Sequence, residues 1–170
     1  MTATPAHRAA GAAAFKLGMR SLVGAVTVVA VQGHQGTVAG LTATAVCSLS
    51  ADPPSLLVCV NRSAALAPAL AVDAEFSVNV LTEDQEDVAQ AFGGQKPVKG
   101  AGRFVYGQWS RSEHDVPVLH GARVSFECVV GQVMDYGSHH IVVGRVIDVH
   151  PGRRDAKPLL YGDGRYLSAG

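Results

Sequence analysis

The chain has 170 residues, the length of one compact domain, and 48% of them are apolar. Its 14 Lys and Arg balance 14 Asp and Glu, so no net charge favours a nucleic acid or an anionic membrane as a partner. A charged fraction of only 16%, together with 19 glycines, is typical of a β-rich fold with many turns, and it favours a homodimer.

The first third of the chain predicts a tail, a helix and a hairpin. Residues 1–13 are small and polar, so we expect a flexible N-terminal tail before a single domain over residues 14–170. Apolar residues at helical spacing predict a short helix over residues 14–22. An almost continuous apolar run from residue 23 to 31, followed by turn residues, predicts a strand that leads into a hairpin.

The stretch from Gly40 to Leu66 predicts two strands, a turn and a helix. Residues 41–50 alternate small, hydroxyl and apolar side chains, so a single strand could bury one face and offer the other to a flat ligand. Two consecutive prolines then impose a turn before a second, more buried strand over residues 55–60. Ser63 is predicted to cap a helix whose free N–H groups would bind an anion.

A further strand over residues 75–81 is followed by a capping box, Thr82 to Gln85, which predicts a helix that ends at Gly93 and Gly94. The loop over residues 93–103 carries two lysines and an arginine. General loop properties leave two interpretations equally open, a solvent-exposed connector or a lid over a substrate.

The last third is predicted to be β throughout. Residues 124–133 alternate as a strand with one buried face, residues 139–149 pair back onto it, and residues 158–166 form a hairpin. About seven strands with two or three short helices, and no repeated strand-helix-strand unit, favour an antiparallel barrel, closed or split.

The three cysteines, Cys47, Cys59 and Cys128, lie far apart in apolar runs, without the paired spacing of a zinc or redox motif. We expect buried free thiols. With no apolar run long enough to span a membrane and no secretory leader, the sequence predicts a cytoplasmic protein.

Several common catalytic motifs are missing from the sequence. It has no G-x-G-x-x-G or Walker-type glycine loop, so doubly wound nucleotide binding is unsupported. It has no G-x-S-x-G or H-E-x-x-H motif, and His139 and His140 lie on opposite faces of a strand, where they could not easily share a metal ion. We therefore predict neither a hydrolase nor a metal site.

The pattern G-L-T-x-x-A-x-C-S-x-S-x-D-P-P from Gly40, followed by an apolar strand and N-R-S, resembles the flavin reductase-like family. These proteins are the small reductase components of two-component flavin monooxygenases. The resemblance covers residues 14–168, and the order and spacing of its motifs make it specific. Beyond the first pattern it continues through residues 75–80, 91–93, 103–104, 137–139, 143–146 and 158–161.

This resemblance implies a mostly β fold, an antiparallel, FMN-binding split β-barrel of Greek-key type with two or three short helices, usually a homodimer. It implies an NAD(P)H:flavin oxidoreductase, in which NADH or NADPH gives a hydride to FMN or FAD and the reduced flavin serves a separate monooxygenase. Two alternatives stay open: a flavoprotein that reduces another acceptor, such as a metal-corrin, and a non-catalytic flavin-binding module.

The resemblance also implies site residues. The strand that lies along the isoalloxazine ring comprises Thr42, Ala43, Thr44, Ala45, Val46, Cys47 and Ser48. The phosphate position comprises Asn61, Arg62, Ser63 and Ala64. Phe92 and Gly93 would close over the flavin, and Tyr161 would line its edge, although Phe92 and Tyr161 could equally be core residues. His139 is the favoured catalytic residue, near the docked nicotinamide, whereas a lone strand histidine is more often structural.

Overall fold

The computed structural model describes residues 10–33 and 36–170. Two α-helices lie among the strands, α1 (Ala12–Arg20) and α2 (Glu86–Phe92), with short 3-10 turns at Ala67–Ala69, Glu83–Gln85 and Gly100–Val105. The strands are β1 (Gly24–Ala25), β2 (Thr27–Gln32), β3 (Val38–Ala43), β4 (Val46–Ala51), β5 (Pro54–Asn61), β6 (Glu75–Val80), β7 (Trp109–Arg111), β8 (Pro117–Leu119), β9 (Val124–Tyr136), β10 (His139–Pro151), β11 (Leu159–Gly162) and β12 (Arg165–Ser168).

The main sheet has seven antiparallel strands in the order β3-β2-β6-β9-β10-β5-β4. A three-stranded sheet, β1-β11-β12, and the β7-β8 hairpin complete the described strands. The prediction of a mostly β, antiparallel fold with few helices is confirmed, although the described part of the chain holds twelve strands rather than about seven. Only Thr44 and Ala45 separate the two edge strands β3 and β4, so the sheet must curve until its two edges approach each other.

The prediction of a single strand over residues 41–50 is therefore wrong. This stretch forms two strands, which break at Thr44 and Ala45 and pair with different partners at opposite edges of the sheet. Local alternation is the same on either side of the break, so the pattern alone could not reveal it. The proline turn and the buried strand after it, β5, are present as predicted.

The helix predicted after Ser63 is also absent. The described residues there form only the 3-10 turn Ala67–Ala69. Both the hydroxyl and the backbone N–H of Ser63 donate to Asn61 Oδ1, at 2.8 and 2.9 Å, which makes a local turn instead of a helix cap. Pro68 lacks an N–H and disfavours a helical conformation for the residue before it, so an α-helix cannot run through this segment.

The second helix follows the prediction closely. The capping box between Thr82 and Gln85 is present, with a 3-10 turn before α2, and Gly93 is the C-terminal cap. Helix α1 begins at Ala12, two residues before the predicted domain boundary, and residues 1–9 of the predicted tail lie outside the described residues. No described helix is both long and apolar enough to cross a membrane.

Strand β9 is buried on both of its faces near its start, contrary to the prediction of one buried face. Ser125 and Glu127 are 2% and 1% exposed, although they alternate with the apolar residues. The β7-β8 hairpin covers them, because Leu119 donates its N–H to Asn79 Oδ1 and Ser125 donates its hydroxyl to the same oxygen. A neighbouring hairpin that folds over β9 therefore buries what local alternation predicts as the open face.

The thiols differ in exposure. Cys128 is buried, as expected, and burial raises its pKa to about 12. Cys59 is half-buried, and Cys47 is exposed, so the expectation of three buried thiols is wrong for Cys47. The reason is its position on β4, an edge strand of the sheet that leaves nearly all of its side chains exposed.

Candidate functional site

Three hollows meet at Thr44, in the break between β3 and β4. The first is an apolar groove of about 450 Å³, the second a groove of about 770 Å³ beneath α1, and the third a smaller hollow of about 200 Å³. Thr44 lines all three. The two grooves have the size of small-molecule sites in proteins, so the strand break brings together a site for an extended ligand.

The apolar groove runs along the face of β4. Four of the residues predicted to contact flavin line it: Thr44, Val46, Cys47 and Ser48. The rest of its lining comes mainly from β5, β9 and β10, including Leu56, Phe126, Val146 and Val149. Apolar walls with short hydroxyls along one side suit a flat aromatic ring that has a polar edge.

The groove beneath α1 extends the site towards the closing hairpin. Its floor is Thr44, Ala45 and Val46, and its far wall comes from Tyr161 and the turn that follows. The α1 side of this groove supplies Phe15, Met19 and Leu22, which are all exposed. Ala45 and Tyr161, which the sequence analysis assigns to flavin contact, therefore line this groove.

The smallest hollow lies between β3, the end of α2 and the closing hairpin. It is lined by the predicted residues Thr42, Thr44, Gly93 and Tyr161, and also by Val26, Gln95 and Tyr166. Tyr166 packs edge-on against Tyr161, with ring centres 5.2 Å apart. Burial raises the pKa of Tyr166 above its ordinary value, which already lies above neutral pH, and its protonated hydroxyl can donate. The sequence analysis missed Gln95 and Tyr166; the partner of Tyr161 across the predicted hairpin was the available signal for Tyr166.

Some of the predicted strand residues offer only their backbone to a ligand. The hydroxyl of Thr42 donates to the carbonyl of Ala89 at 2.7 Å, so it anchors α2 on β3. The side chain of Ala43 is 9% exposed and packs in the core. A backbone contact does not depend on the type of side chain. The alternation of residue types along the strand therefore could not show which residues make such contacts.

Phe92 is part of the core. Of its two interpretations, closure over the flavin or a place in the core, the structure supports the second. Phe92 is 2% exposed and packs against Phe104 and Trp109, with ring centres 4.9 and 5.3 Å away. Its ring also fills the space beside Gly40, where a Cβ atom would lie 2.7 Å from it. Phe92 thus supports β3 from behind, while its neighbour Gly93 lines the small hollow.

The loop over residues 93–103 is largely exposed, and two of its side chains tie it to the rest of the fold. Arg103 donates from Nη1 to the carbonyls of Gly40 and Phe92, both at 3.2 Å, which ties the following 3-10 turn to β3 and to the end of α2. Lys96 pairs with Asp87 at 2.7 Å. These contacts support the connector interpretation for the loop from Lys96 onward, with Gln95 as its contribution to the hollow.

The predicted phosphate and nicotinamide residues converge at one end of β5. The N–H of Cys59 donates to the carbonyl of Ala45 at 3.0 Å, which holds the strand break against this end. Two residues further on, Asn61 is paired in register with His139 of β10. The N–H of Arg62 donates to Ser138 at 3.0 Å, so the segment 61–64 and the β9-β10 turn form one surface.

The two histidines of this surface differ as predicted, because adjacent residues of a strand point to opposite faces. His139 is exposed, and its Nδ1 lies 2.9 Å from the hydroxyl of Ser138. His140 is half-buried, with Nδ1 2.6 Å from Asp135. His139 is not among the described residues that line the three hollows, so a ligand must extend beyond the grooves to contact it.

Comparison with known proteins places this geometry in a family. A model of the flavin reductase like domain matches residues 19–170. The chain is 41% identical over 147 residues to FMN reductase (NADH) RutF of Stutzerimonas stutzeri, covering 86% of this chain and 82% of that protein.

Two solved structures share the fold. BorF, the flavin reductase component of a bacterial two-component tryptophan halogenase, has a TM-score of 0.82 at 31% identity, covering 93% of this chain and 98% of its own. The NADH:FAD oxidoreductase SgcE6 of Streptomyces globisporus, solved with NAD and FAD fragments, also has a TM-score of 0.82, at 27% identity, and the match covers 97% of this chain and 98% of that one. The chain described here belongs to the flavin reductase like domain family.

Proposed function

We propose that this protein is an NADH:flavin oxidoreductase that reduces FMN and supplies the reduced flavin to a separate monooxygenase. The observation that carries the proposal is the meeting of the grooves at Thr44, in the break between the two strands whose residues match the family pattern. Its relatives named FMN reductase (NADH) support FMN as the flavin and NADH as the donor. FAD and NADPH are the less favoured choices.

Hydride transfer between these two ring systems requires little acid-base chemistry from the protein. Reduced nicotinamide supplies the hydride and flavin accepts it, so the chain has mainly to align two rings near contact distance. In our proposal the β4 face holds the isoalloxazine through Thr44, Val46 and Ser48. The segment from Asn61 to Ala64 holds the phosphate, and His139 orients the nicotinamide from the adjacent turn.

The curvature of the main sheet supports a split β-barrel as its finer description. Its two edge strands follow each other in the chain, and one apolar cluster of β2, β5, β6, β9 and β10 residues packs together within it. In this barrel the flavin site would lie at the opening between β3 and β4.

We also propose that the protein acts in the cytoplasm. The three cysteines are free thiols, and a reducing compartment keeps thiols from forming disulfides.

An anaerobic assay tests the function. Purified protein mixed with NADH and excess FMN should bleach the flavin absorbance in many turnovers, faster than with FAD and faster with NADH than with NADPH. A protein that binds FMN but never bleaches it would be the non-catalytic binding module. Bleaching of only a stoichiometric bound flavin, followed by turnover when a cobalt corrin is added, would identify the alternative acceptor.

We further propose a homodimer, because the α1 region exposes an unusual amount of apolar surface. Helix α1 has no buried residue, and its apolar side chains are more than two-fifths exposed. The exposed set comprises Phe15, Leu17, Met19, Leu22 and Val23. Phe15, Met19 and Leu22 lie together along the groove beneath α1, beside the candidate site. Monomeric proteins rarely leave such clustered apolar side chains in water, so a second copy would cover them and also enclose the flavin.

Light scattering checks this proposal at micromolar concentration. The wild-type chain should give twice its mass of 17.6 kDa, whereas a Phe15→Glu, Leu22→Glu variant should shift towards the monomer because two charges would be buried. Val105→Glu is the matched control, since Val105 is 76% exposed and lies far from α1 in the chain. A monomeric wild type would contradict the proposal.

A further inference from the structure

A cluster of carboxylate and imidazole side chains lies on the β9-β10 ribbon. It is on the face opposite to the one that lines the apolar groove. Its centre is Glu127, a carboxylate that is 1% exposed. Glu127 Oε2 lies 2.8 Å from His114 Nδ1, and its Oε1 is hydrogen-bonded to His150 Nε2. Asp148 Oδ2 lies 3.6 Å from the same nitrogen of His150. The proposed flavin reduction uses none of these four residues.

The pairing of β9 with β10 brings three of these residues to one side. Glu127 is in register with Asp148, and Ser125 is in register with His150. Paired residues of an antiparallel ladder share a face, so the side chains of Glu127, Asp148 and His150 lie together. Phe126 and Val149 are the next pair, and they point to the opposite face, where they line the apolar groove. The fourth residue, His114, comes from the loop between β7 and β8 that covers Glu127.

We propose that Glu127, Asp148 and His150 bind a divalent transition-metal ion of the Zn²⁺ type, with His114 as a supporting residue. One ligand atom from each of the three lies within 4.8 Å of the others. Imidazole nitrogen and carboxylate oxygen are the ligands that zinc accepts. Zinc bonds of about 2.0 to 2.1 Å at tetrahedral angles place ligand atoms roughly 3.3 Å apart, close to the Asp148 to His150 spacing. Glu127 Oε1 and His150 Nε2 are directly hydrogen-bonded, so these two atoms must separate to admit the ion.

The contacts of Glu127 hold its carboxylate in a fixed orientation beside the two other ligands. A buried carboxylate requires charge and hydrogen-bond partners, and the two imidazoles provide one for each of its oxygens. An ion would replace the hydrogen bond between Glu127 Oε1 and His150 with two metal bonds. His114 would keep its hydrogen bond to Oε2 and hold the carboxylate in the orientation that the ion needs. Three protein ligands leave a fourth position for water.

The site is open to ions from solution, because the side chains of His114, His150 and Asp148 are 40%, 38% and 53% exposed. It lies on the opposite face of the ribbon from the groove in which we place the flavin. The ion would therefore stabilise the fold by fastening the loop around His114 to β9 and β10, without contacting the reacting rings.

Titration calorimetry with Zn²⁺ on chelator-treated, dialysed full-length protein tests the proposal. We expect one ion per chain, a Co²⁺ absorption spectrum of a four-coordinate site, and a Tm raised by about 5 to 10 °C when free Zn²⁺ is a hundredfold above Kd. His150→Gln and Asp148→Asn should each weaken Zn²⁺ binding at least about tenfold. His140→Ala is the matched control and should bind Zn²⁺ like wild type, because it removes a similar histidine-carboxylate pair elsewhere on the surface.

Three results would overturn the proposal: no Zn²⁺ binding by wild type, equal binding in Asp148→Asn and wild type, or a weakening by His140→Ala as large as that by His150→Gln. Glu127→Gln should also lose binding, but it changes a buried residue and could unfold. The exposed Asp148 and His150 variants therefore decide the matter. Flavin bleaching, measured on the same samples without metal, tests the proposed function independently.

Discussion

His139→Ala should reduce flavin about ten- to a hundredfold more slowly than wild type, and His140→Ala should reduce it at nearly the wild-type rate. His139 is exposed beside the segment that we assign to the phosphate, in register with Asn61. Its imidazole can there hydrogen-bond the nicotinamide carboxamide or the flavin edge, an alignment worth roughly 1 to 3 kcal/mol in the transition state. His140 points to the other face and is held by Asp135.

Stopped-flow reduction of saturating FMN by NADH measures this difference directly. Loss of the partly exposed pair between His140 and Asp135 should cost about 1 kcal/mol of stability or less, and His139 is exposed, so both variants should fold. A purely structural role for His139 would change the Tm and leave the rate at saturating NADH unchanged. A wild-type rate in His139→Ala, or a larger loss in His140→Ala, would show that the other face of β10 carries the chemistry.

Ser63→Asp should weaken FMN binding by one to two orders of magnitude, and Ser63→Ala should weaken it less. In the structure the hydroxyl and the N–H of Ser63 turn inward to Asn61 Oδ1. A carboxylate at this position would repel the phosphate, which alanine does not, and alanine leaves the backbone donors in place. Because Ser63 is exposed, the effect of aspartate should shrink as the salt concentration rises.

Riboflavin provides the control for the Ser63 variants, because it carries the same ring system without a phosphate. Its apparent KM in the NADH-bleaching assay should be nearly equal for wild type and Ser63→Asp, while the KM for FMN rises. If both flavins lose affinity together, Ser63→Asp disturbs the ring site or the fold. If neither does, the phosphate lies elsewhere and the assignment of residues 61–64 is wrong.

Local patterns in the sequence predict much of this fold correctly. The capping box at Thr82, the glycine that ends α2 and the closing hairpin β11-β12 all form as expected. Each depends on residues within a few positions of one another, so the local chemistry is enough to define it. The opposite orientation of His139 and His140 follows for the same reason, from the two-residue period of a strand.

The site required the tertiary structure, because its walls come from distant segments. The break at Thr44 has no local signal; it follows from β3 and β4 pairing with different strands at opposite edges of the sheet. The burial of Phe92 depends on the space beside Gly40, and the assignment of Tyr166 depends on its packing against Tyr161. The helix predicted after Ser63 fails because Pro68 prevents a continuous run of backbone hydrogen bonds.

The sequence by itself determined the fold class, the family and the stretch of chain that lines the grooves, because these depend on the order of residue types along the chain. Only the tertiary structure decided that Glu127 is buried and that it lies beside His114, Asp148 and His150. The spacing of these four residues along the chain does not match a metal-binding sequence motif, because they come from a loop and two different strands. Strand register and the covering hairpin bring them together, and both are properties of the contacts between strands, which residue types along the chain do not specify.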